Sequence, residues 1–288
     1  MNTILQISSD SMDNLKLVEI LYKLTACFQK INMSFYIIGA TARDIIIKQL
    51  SGAAPFRRTR DLDIAIAIPI WDRFAEVEAV LVANGFKKST HARQRFFIDE
   101  YEIDIVPFGN LAKADDKIYW PPEENIAMSV KGFYEILDKA VTVTIDGDLE
   151  VKIVSLPGLF VLKFYAWQDR HLASKKDADD MGLVLRMYFE LNVDRNFHPE
   201  VYDDEDFEIL VAGGVWLAYD IASLLNSDQL TSLCVDIQKE LNKEEQSVLL
   251  NQILETNSSI TYESLVRTLT EIVSVFIKIA KTDKLYVE

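Results

Sequence analysis

Apolar residues recur at helical intervals through MDNLKLVEILYKLTACFQK (12–30), with Ser11 and Asp13 placed to cap the start. The period then shortens. FYIIGA (35–40) is an unbroken apolar run that reads as a short buried strand stopping at Gly39, and TARDIIIKQL continues as a helix directly after that glycine until LSGAAP ends it. LDIAIAI (62–68) alternates in part and predicts a strand, followed by an amphipathic helix from Trp71 to Ala83 and a stop at Asn84-Gly85. Two hairpins come next. RQRFFI (93–98) and EIDIVPF (102–108) flank a turn near Asp99-Glu100, and VTVTI (141–145) and LEVKIVS (149–155) flank Asp146-Gly147-Asp148. From Leu156 onward every predicted element is helical, opened by Ser155 as a cap and Pro157 in the first turn.

This pattern divides the chain into an α/β part, 1–155, and an all-α part, 156–288, with no long linker, repeat or low-complexity stretch. The expected fold class is α+β, a mixed sheet with flanking helices followed by a C-terminal helical bundle. Composition agrees with a chain that folds around two cores: 49% of its 288 residues are hydrophobic and 26% charged. No apolar run reaches the ~18 residues that cross a bilayer, and MNTILQISSDSMDN has no basic segment ahead of an apolar core, so a cytoplasmic protein without a membrane partner is expected. Cys27 and Cys234 form no pairing or zinc pattern, and His91, His171 and His198 are scattered.

A net charge of −15 argues against general nucleic-acid binding, because the phosphate backbone rewards positive fields. Its distribution changes the picture. Residues 191–288 hold 7 Lys/Arg against 18 Asp/Glu, most densely in YDDEDFE (202–208), which reads as a solvated face. The first half is far closer to balance, and KKSTHARQR (87–95) with Arg57, Arg58 and Arg60 could form a local basic rim suited to RNA; basic residues on strand edges also serve to block aggregation.

Candidate chemistry sits in the first half. In RTRDLDIAIAI (58–68), Asp61 and Asp63 point to one face of a strand, about 7 Å apart along the chain. Two carboxylates this close repel, and a hard divalent cation with oxygen ligands relieves them. A lone Asp-x-Asp also begins many strands as a solvated edge. Asp104 in YEIDIVPFG lies in a strand otherwise rich in apolar residues; if that strand runs beside 62–68, it completes a three-carboxylate cluster, with Glu102 the competing choice. In IIGATARD, a glycine between strand and helix lets the backbone approach a phosphate, and the helix start offers unpaired N–H groups, with Arg43 in the first turn. In LKFYAWQDRHLASKKDADDMGL (162–183), Lys163 and Arg170 share a helix face, Asp177 and Asp180 another. Such a lysine among apolar neighbours either snorkels or meets an anion.

A strand ending in glycine, a helix, an Asp-x-Asp strand and a third Asp on a later strand together resemble the DNA polymerase β-like nucleotidyltransferase superfamily. Ala40 stands where that superfamily has a second Gly or a Ser. GATARD also looks like the Gly-Gly-x-x-Arg-Asp segment of tRNA nucleotidyltransferases. The 162–183 segment resembles the second motif of the AbiEii/AbiGii toxin nucleotidyltransferase family, with Lys163 and Arg170 on its lysine and arginine, Lys176-Asp177 on its Arg-Asp, and Asp180 on its second Asp. The resemblance covers about residues 35–190.

It implies a polymerase β-like domain that moves a nucleoside monophosphate from an NTP to an acceptor hydroxyl. Mg²⁺ would be the cofactor, as two ions, with Mn²⁺ able to substitute. Asp61, Asp63 and Asp104 would be the metal ligands, and together with Lys163 and Asp177 the catalytic residues. Gly39, Ala40, Arg43, Thr59, Lys163, Arg170, Lys176 and Asp180 would contact the nucleotide. Asp177 would orient Lys163 or help deprotonate the acceptor. The resemblance further implies tRNA or another RNA as acceptor and an antitoxin protein as partner. Transfer to an aminoglycoside or a protein, or a non-catalytic nucleotide-binding module, are the alternatives.

Overall fold

The alternating and unbroken apolar runs of the first half become strands in the computed structural model, which describes residues 4–12, 15–51, 61–124, 127–194 and 206–285. In chain order the elements are β1 (Ile4–Ile7), α1 (Leu15–Lys30), β2 (Tyr36–Ile38), α2 (Gly39–Ser51), β3 (Asp61–Ala67), α3 (Trp71–Ala83), β4 (Lys87–Lys88), β5 (Arg95–Ile98), β6 (Tyr101–Phe108), β7 (Lys117–Tyr119), β8 (Ala127–Ser129), α4 (Phe133–Asp138), β9 (Val141–Ile145) and β10 (Leu149–Ile153). Then follow α5 (Leu156–Arg170), α6 (Lys176–Tyr188), α7 (Ile209–Leu224), α8 (Ser227–Leu241), α9 (Val248–Thr256) and α10 (Tyr262–Leu285). The chain forms two compact units, Met1–Leu159 and Phe160–Glu288, so α5 begins in one and ends in the other. Among the described residues no helix is long and apolar enough to cross a membrane.

The first unit is built on a mixed sheet of order β1-β9-β10-β2-β3-β6-β5-β4. β3 and β6 run parallel at its middle, and β2 and β5 flank them antiparallel. Side-chain character follows position in these two strands. Leu62, Ile64, Ala65 and Ile66 of β3 and Ile103 and Ile105 of β6 are buried, because the bodies of both strands are covered on both faces. At the heads one face opens, and there the polar residues sit: Asp61 is exposed and Asp63, Glu102 and Asp104 are half-buried. β7 and β8 form a separate two-stranded ribbon. α1 packs on α3 and β10 and buries Leu17, Leu21, Leu24 and Phe28, and α2 packs on β2 and β3.

The described part of the second unit is helical. α7 lies along α10, α8 also packs on α10, and α6 meets α7 and α9. Trp216 of α7 is fully buried and stacks on Phe189 with ring centroids 4.8 Å apart.

The boundaries differ from the sequence pattern in small ways. α1 starts at Leu15, behind a separate 3-10 turn at Ser9–Met12. Gly39 belongs to α2 rather than ending β2, and β3 begins at Asp61. Four short strands, β1, β4, β7 and β8, and the six-residue α4 have no counterpart in the pattern reading, because two to six residues are too few to display a period.

Ile103 supports the acid-bearing heads from the covered face, in register with Leu62 and Phe96, and its exposure is 0%. Ile103→Ala is expected to lower stability by about 2–5 kcal/mol through the lost burial and the cavity left behind. Urea unfolding checks this as a lower midpoint at unchanged slope.

Candidate active site

Strand register assembles the acidic residues. β3 and β6 pair so that Asp61 lies beside Glu102 and Asp63 beside Asp104, and residues paired in this way point to the same face. Neighbouring strands are about 4.8 Å apart, so four carboxylates occupy one patch at the heads of two strands.

The amino end of α2 adjoins that patch. Thr41 Oγ1 donates to the backbone oxygen of Asp61 at 3.1 Å, tying the first turn of α2 to the start of β3. Gly39 has φ +69°, and a Cβ added there would collide with the Asp63 carboxylate, whose Cγ would be 3.0 Å away. Both facts demand glycine. The sequence pattern gives this glycine the task of letting a phosphate approach; here the space beside it is taken by a carboxylate of the chain itself. A helix amino end, with its unpaired N–H groups and positive dipole end, favours such an anion. Ala40 follows within the same turn. Arg43 is buried, 5% exposed, and its Nε and Nη2 both meet Asp44 Oδ1 at 2.7 Å. Thr59, Arg57, Arg58 and Arg60 lie outside the described residues.

Arg95, opposite Asp104 in the β5–β6 hairpin, brings a cation to the patch. Its Nε and Nη2 donate to the two oxygens of Asp104, both at 2.8 Å, and Nη1 pairs with Glu102. This fork is the geometry in which a guanidinium binds a carboxylate most strongly. Its hydrogen bonds with Asp104 raise the Arg95 pKa; partial burial opposes the shift, and the charges of Asp104, Glu102 and Asp61 add to it. The other described basic residues of 87–95 are largely matched as well: Lys88 pairs with Glu78, and Arg93 with Glu123 at 2.6 Å. Lys87 is exposed on β4.

A second charged cluster lies within the second unit. Asp177 of α6 is fully buried and accepts from Arg170 Nε and Nη2, both at 2.7 Å, and from Lys163 Nζ at 3.2 Å. Lys163 also pairs with Asp180 at 2.6 Å. The lysine placed among apolar neighbours thus meets an anion, and that anion is two aspartates of the next helix. Two cations from α5 against two carboxylates from α6 clamp the helices together. Lys176, the first residue of α6, is exposed. Burial raises the Asp177 pKa, but the hydrogen bonds of Arg170 and the charge of Lys163 outweigh it and hold the carboxyl below its usual range. Beside this cluster Trp167 Nε1 donates to Gln252 at 2.8 Å, and Gln252 Nε2 donates to the His171 backbone oxygen at 3.0 Å, which joins α5 to α9.

The donor chemistry of Asp61 and Asp63, hard oxygens on one face at a helix amino end, fits a divalent cation. Asp104 as it stands does not extend that set, since both its oxygens are taken by Arg95. Among the described residues no group of three or more His, Cys, Asp or Glu is placed to hold a metal ion.

No protein-family model matches the chain. No curated protein matches it either. Among solved structures it is similar to the antibiotic-resistance factor ANT(2″)-Ia in solution, at 18% identity and a TM-score of 0.40 over 59% of this chain and 83% of that one. The crystal structure of ANT(2″)-Ia in complex with adenylyl-2″-tobramycin is similar at 16% identity and a TM-score of 0.37, over 58% and 86% of the two chains. An antigenic nucleotidyltransferase-like protein from Paracoccidioides brasiliensis is similar at 17% identity and a TM-score of 0.39, over 76% and 92%.

Two substitutions probe these clusters. Gly39→Ala imposes both a left-handed backbone on alanine and a clash with Asp63, and is expected to cost about 1–3 kcal/mol in chemical unfolding. Asp177→Asn removes the buried counter-charge that Lys163 and Arg170 share, leaving Lys163 to Asp180 alone, and is expected to cost about 3 kcal/mol or more. Because the folded carboxyl titrates below the unfolded one, its stabilisation is complete above the unfolded pKa of about 3.9 and is lost as pH falls through the lower folded value. Unfolding of the wild type measured from pH 7 down to pH 3 should show that loss, and the Asn variant should lack this part of it.

Proposed function

We propose that this protein is a nucleotidyltransferase that moves a nucleoside monophosphate from an NTP to an acceptor hydroxyl. One observation carries the reading. Asp61 and Asp63 stand on a single face at the head of β3, Asp63 lies against the amino end of α2 at Gly39, and the parallel partner β6 sets Asp104 in register beside them. Charge neutralisation and positioning are most of what phosphoryl-group chemistry asks of a protein. Asp61 and Asp63 would hold Mg²⁺, which when bound supplies positive charge to the phosphate oxygens of the donor. Thr41 keeps the start of β3 fixed against α2, so the two carboxylates and the helix amino end move as one piece. In the transfer the acceptor oxygen bonds to the α-phosphorus and the bond to the bridging oxygen breaks. Pyrophosphate leaves, and the hydroxyl proton passes to solvent at the exposed end of the strand.

Within this reading the acceptor is RNA, tRNA foremost, and the protein acts as a toxin of the AbiEii/AbiGii type with an antitoxin partner; the sequence resemblance supports both. Lys163, Arg170, Lys176, Asp177 and Asp180 stay with it as residues of the second motif, where Asp177 orients Lys163 through the contact between them. Transfer to a small cationic acceptor such as an aminoglycoside is the second reading. The acid face favours it: Asp61, Asp63, Glu102 and Asp104 stand in register at the strand heads, and Lys88 and Arg93 are each matched by a glutamate.

Incubation with Mg²⁺, each α-labelled NTP and, separately, total tRNA, protein extract or aminoglycosides tests the proposal. Label is expected on one acceptor class, lost at least 100-fold in Asp61→Ala/Asp63→Ala, in keeping with the share of a catalytic barrier that such charge stabilisation supplies (roughly 10²–10³ in rate). No transfer to any acceptor with any NTP would refute it.

A further inference from the structure

We propose that the pocket between α3, the β4–β5 turn and the segment after β7 takes an unpaired base of single-stranded RNA, through the rings of Trp71 and Trp120 and the cations Lys88 and Arg93. The inference deepens the proposed function and rests on its RNA acceptor, for which it supplies a holding site apart from the acids.

The pocket has a volume of about 180 Å³. Sites that enclose a whole drug-sized molecule measure roughly 300–1,000 Å³, so this one takes a single ring system of a larger ligand. Aromatic side chains build it: the Trp120 ring centroid lies 5.0 Å from that of Trp71 and 5.2 Å from that of Phe74. Trp71 is half-buried and keeps surface for a stacking partner. The indole of Trp120 decides between kinds of ring. Trp120 is 3% exposed, and its Nε1 has no hydrogen-bond partner among the described residues. A buried donor left unmet costs about 1–3 kcal/mol. The phenyl or aliphatic side chain of a protein partner brings no acceptor for it, whereas the edges of a nucleobase carry nitrogen and oxygen acceptors.

Charge points the same way. The described lining sets Lys88 and Arg93 against Glu78, in a chain of net charge −15. That balance disfavours a cationic acceptor and suits the phosphates on either side of a base. Lys88 pairs with Glu78, and Arg93 with Glu123 at 2.6 Å, but the four side chains are between 26% and 56% exposed. Ion pairs of this kind are worth about 0–1 kcal/mol, so a phosphate claims either cation at small cost. Lys87, next along β4, is exposed as well. Lys88 lies opposite Phe96, which is in register with Ile103 and through it with Leu62, so Lys88 stands on the sheet face away from Asp61, Asp63, Glu102 and Asp104. An RNA strand held here would reach the acids around β4, the last strand of the sheet.

Fluorescence anisotropy of a labelled oligo(A) strand, without Mg²⁺ or NTP, reads binding apart from turnover. The wild type is expected to bind the single strand more tightly than an RNA duplex of equal length, whose bases are already stacked and paired. Trp71→Ala should weaken binding about 5–150-fold, the span of one base–aromatic stack. Trp120→Phe keeps a ring and removes the N–H, and should weaken it about 2–10-fold. Arg93→Gln should lower the slope of log Kd against log salt by about 0.7, one phosphate contact on a single strand. Circular dichroism establishes that each variant folds; should either tryptophan variant fail to fold, Arg93→Gln, altered at an exposed side chain, decides. No binding of the single strand by the wild type, tighter binding of the duplex, unchanged affinity in a folded Trp71→Ala or Trp120→Phe, or an unchanged salt slope in Arg93→Gln overturns the inference. Displacement of the strand by a neutral phenylalanine-bearing peptide overturns it too, in favour of a protein partner. Label transfer by a wild type that gives any of these results leaves the proposed function standing, and transfer to no acceptor overturns that function without altering the binding result.

Discussion

Carboxylates brought side by side by parallel strand pairing cannot all keep their charge without a positive partner nearby, and the first unit is arranged around that constraint. β3 and β6 are apolar along their covered bodies and acidic at their open heads, with Asp61 beside Glu102 and Asp63 beside Asp104. Positive fields from the structure around them answer these charges. The amino end of α2 reaches Asp63 because residue 39 has no side chain, and the Arg95 fork reaches Asp104 and Glu102 from the neighbouring strand. Thr41 adds a direct tie from α2 to the backbone of Asp61. The acid face is thereby held in shape by the secondary structure around it.

The second unit meets the same problem in the opposite environment. Asp177 is removed from water altogether, and a buried charge is tolerated only when paired and hydrogen-bonded. Lys163 and Arg170, one face of α5, supply the pairing, and Asp180 uses the remaining capacity of the lysine. Where the heads of β3 and β6 leave carboxylates half in water, the α5–α6 contact spends its charges on each other. That difference leaves the first cluster facing water and the second joining α5 to α6.

Much of this was legible in the chain. The period-two run at 61–67 displayed the aspartate pair on one face, the helix at Trp71–Ala83 showed both ends, and the seven-residue spacing of Lys163 and Arg170 placed them on one side of α5. Local period carries such features. The pairing of β3 with β6 was legible only as a condition, since parallel partners far apart in sequence leave no mark in either strand. Arg95 is the instructive case. A two-residue turn at Asp99-Glu100 dictates register, and counting back from it sets Arg95 against Asp104 and Phe97 against Glu102. The signal was in the hairpin, but Arg95 read as one of several basic residues along 87–95, a grouping by sequence distance that the pairing of Lys88, Arg93 and Arg95 with separate acids dissolves. The role of Gly39 was likewise half visible: a glycine at a strand-to-helix junction signals a close approach, without saying that the visitor is Asp63.

The sheet order gives the Arg95 fork a mechanical character. β3 and β6 each have a strand on either side, whereas β5 has beyond it only the two-residue β4, which ends the sheet. Marginal strands of this kind are held by fewer hydrogen bonds and open at lower free energy than interior ones. The negative charges thus sit on interior strands and their counter-charge one short strand from the edge of the sheet, so fraying of that edge would alter the electrostatic potential over the acids while leaving the acids themselves where they are.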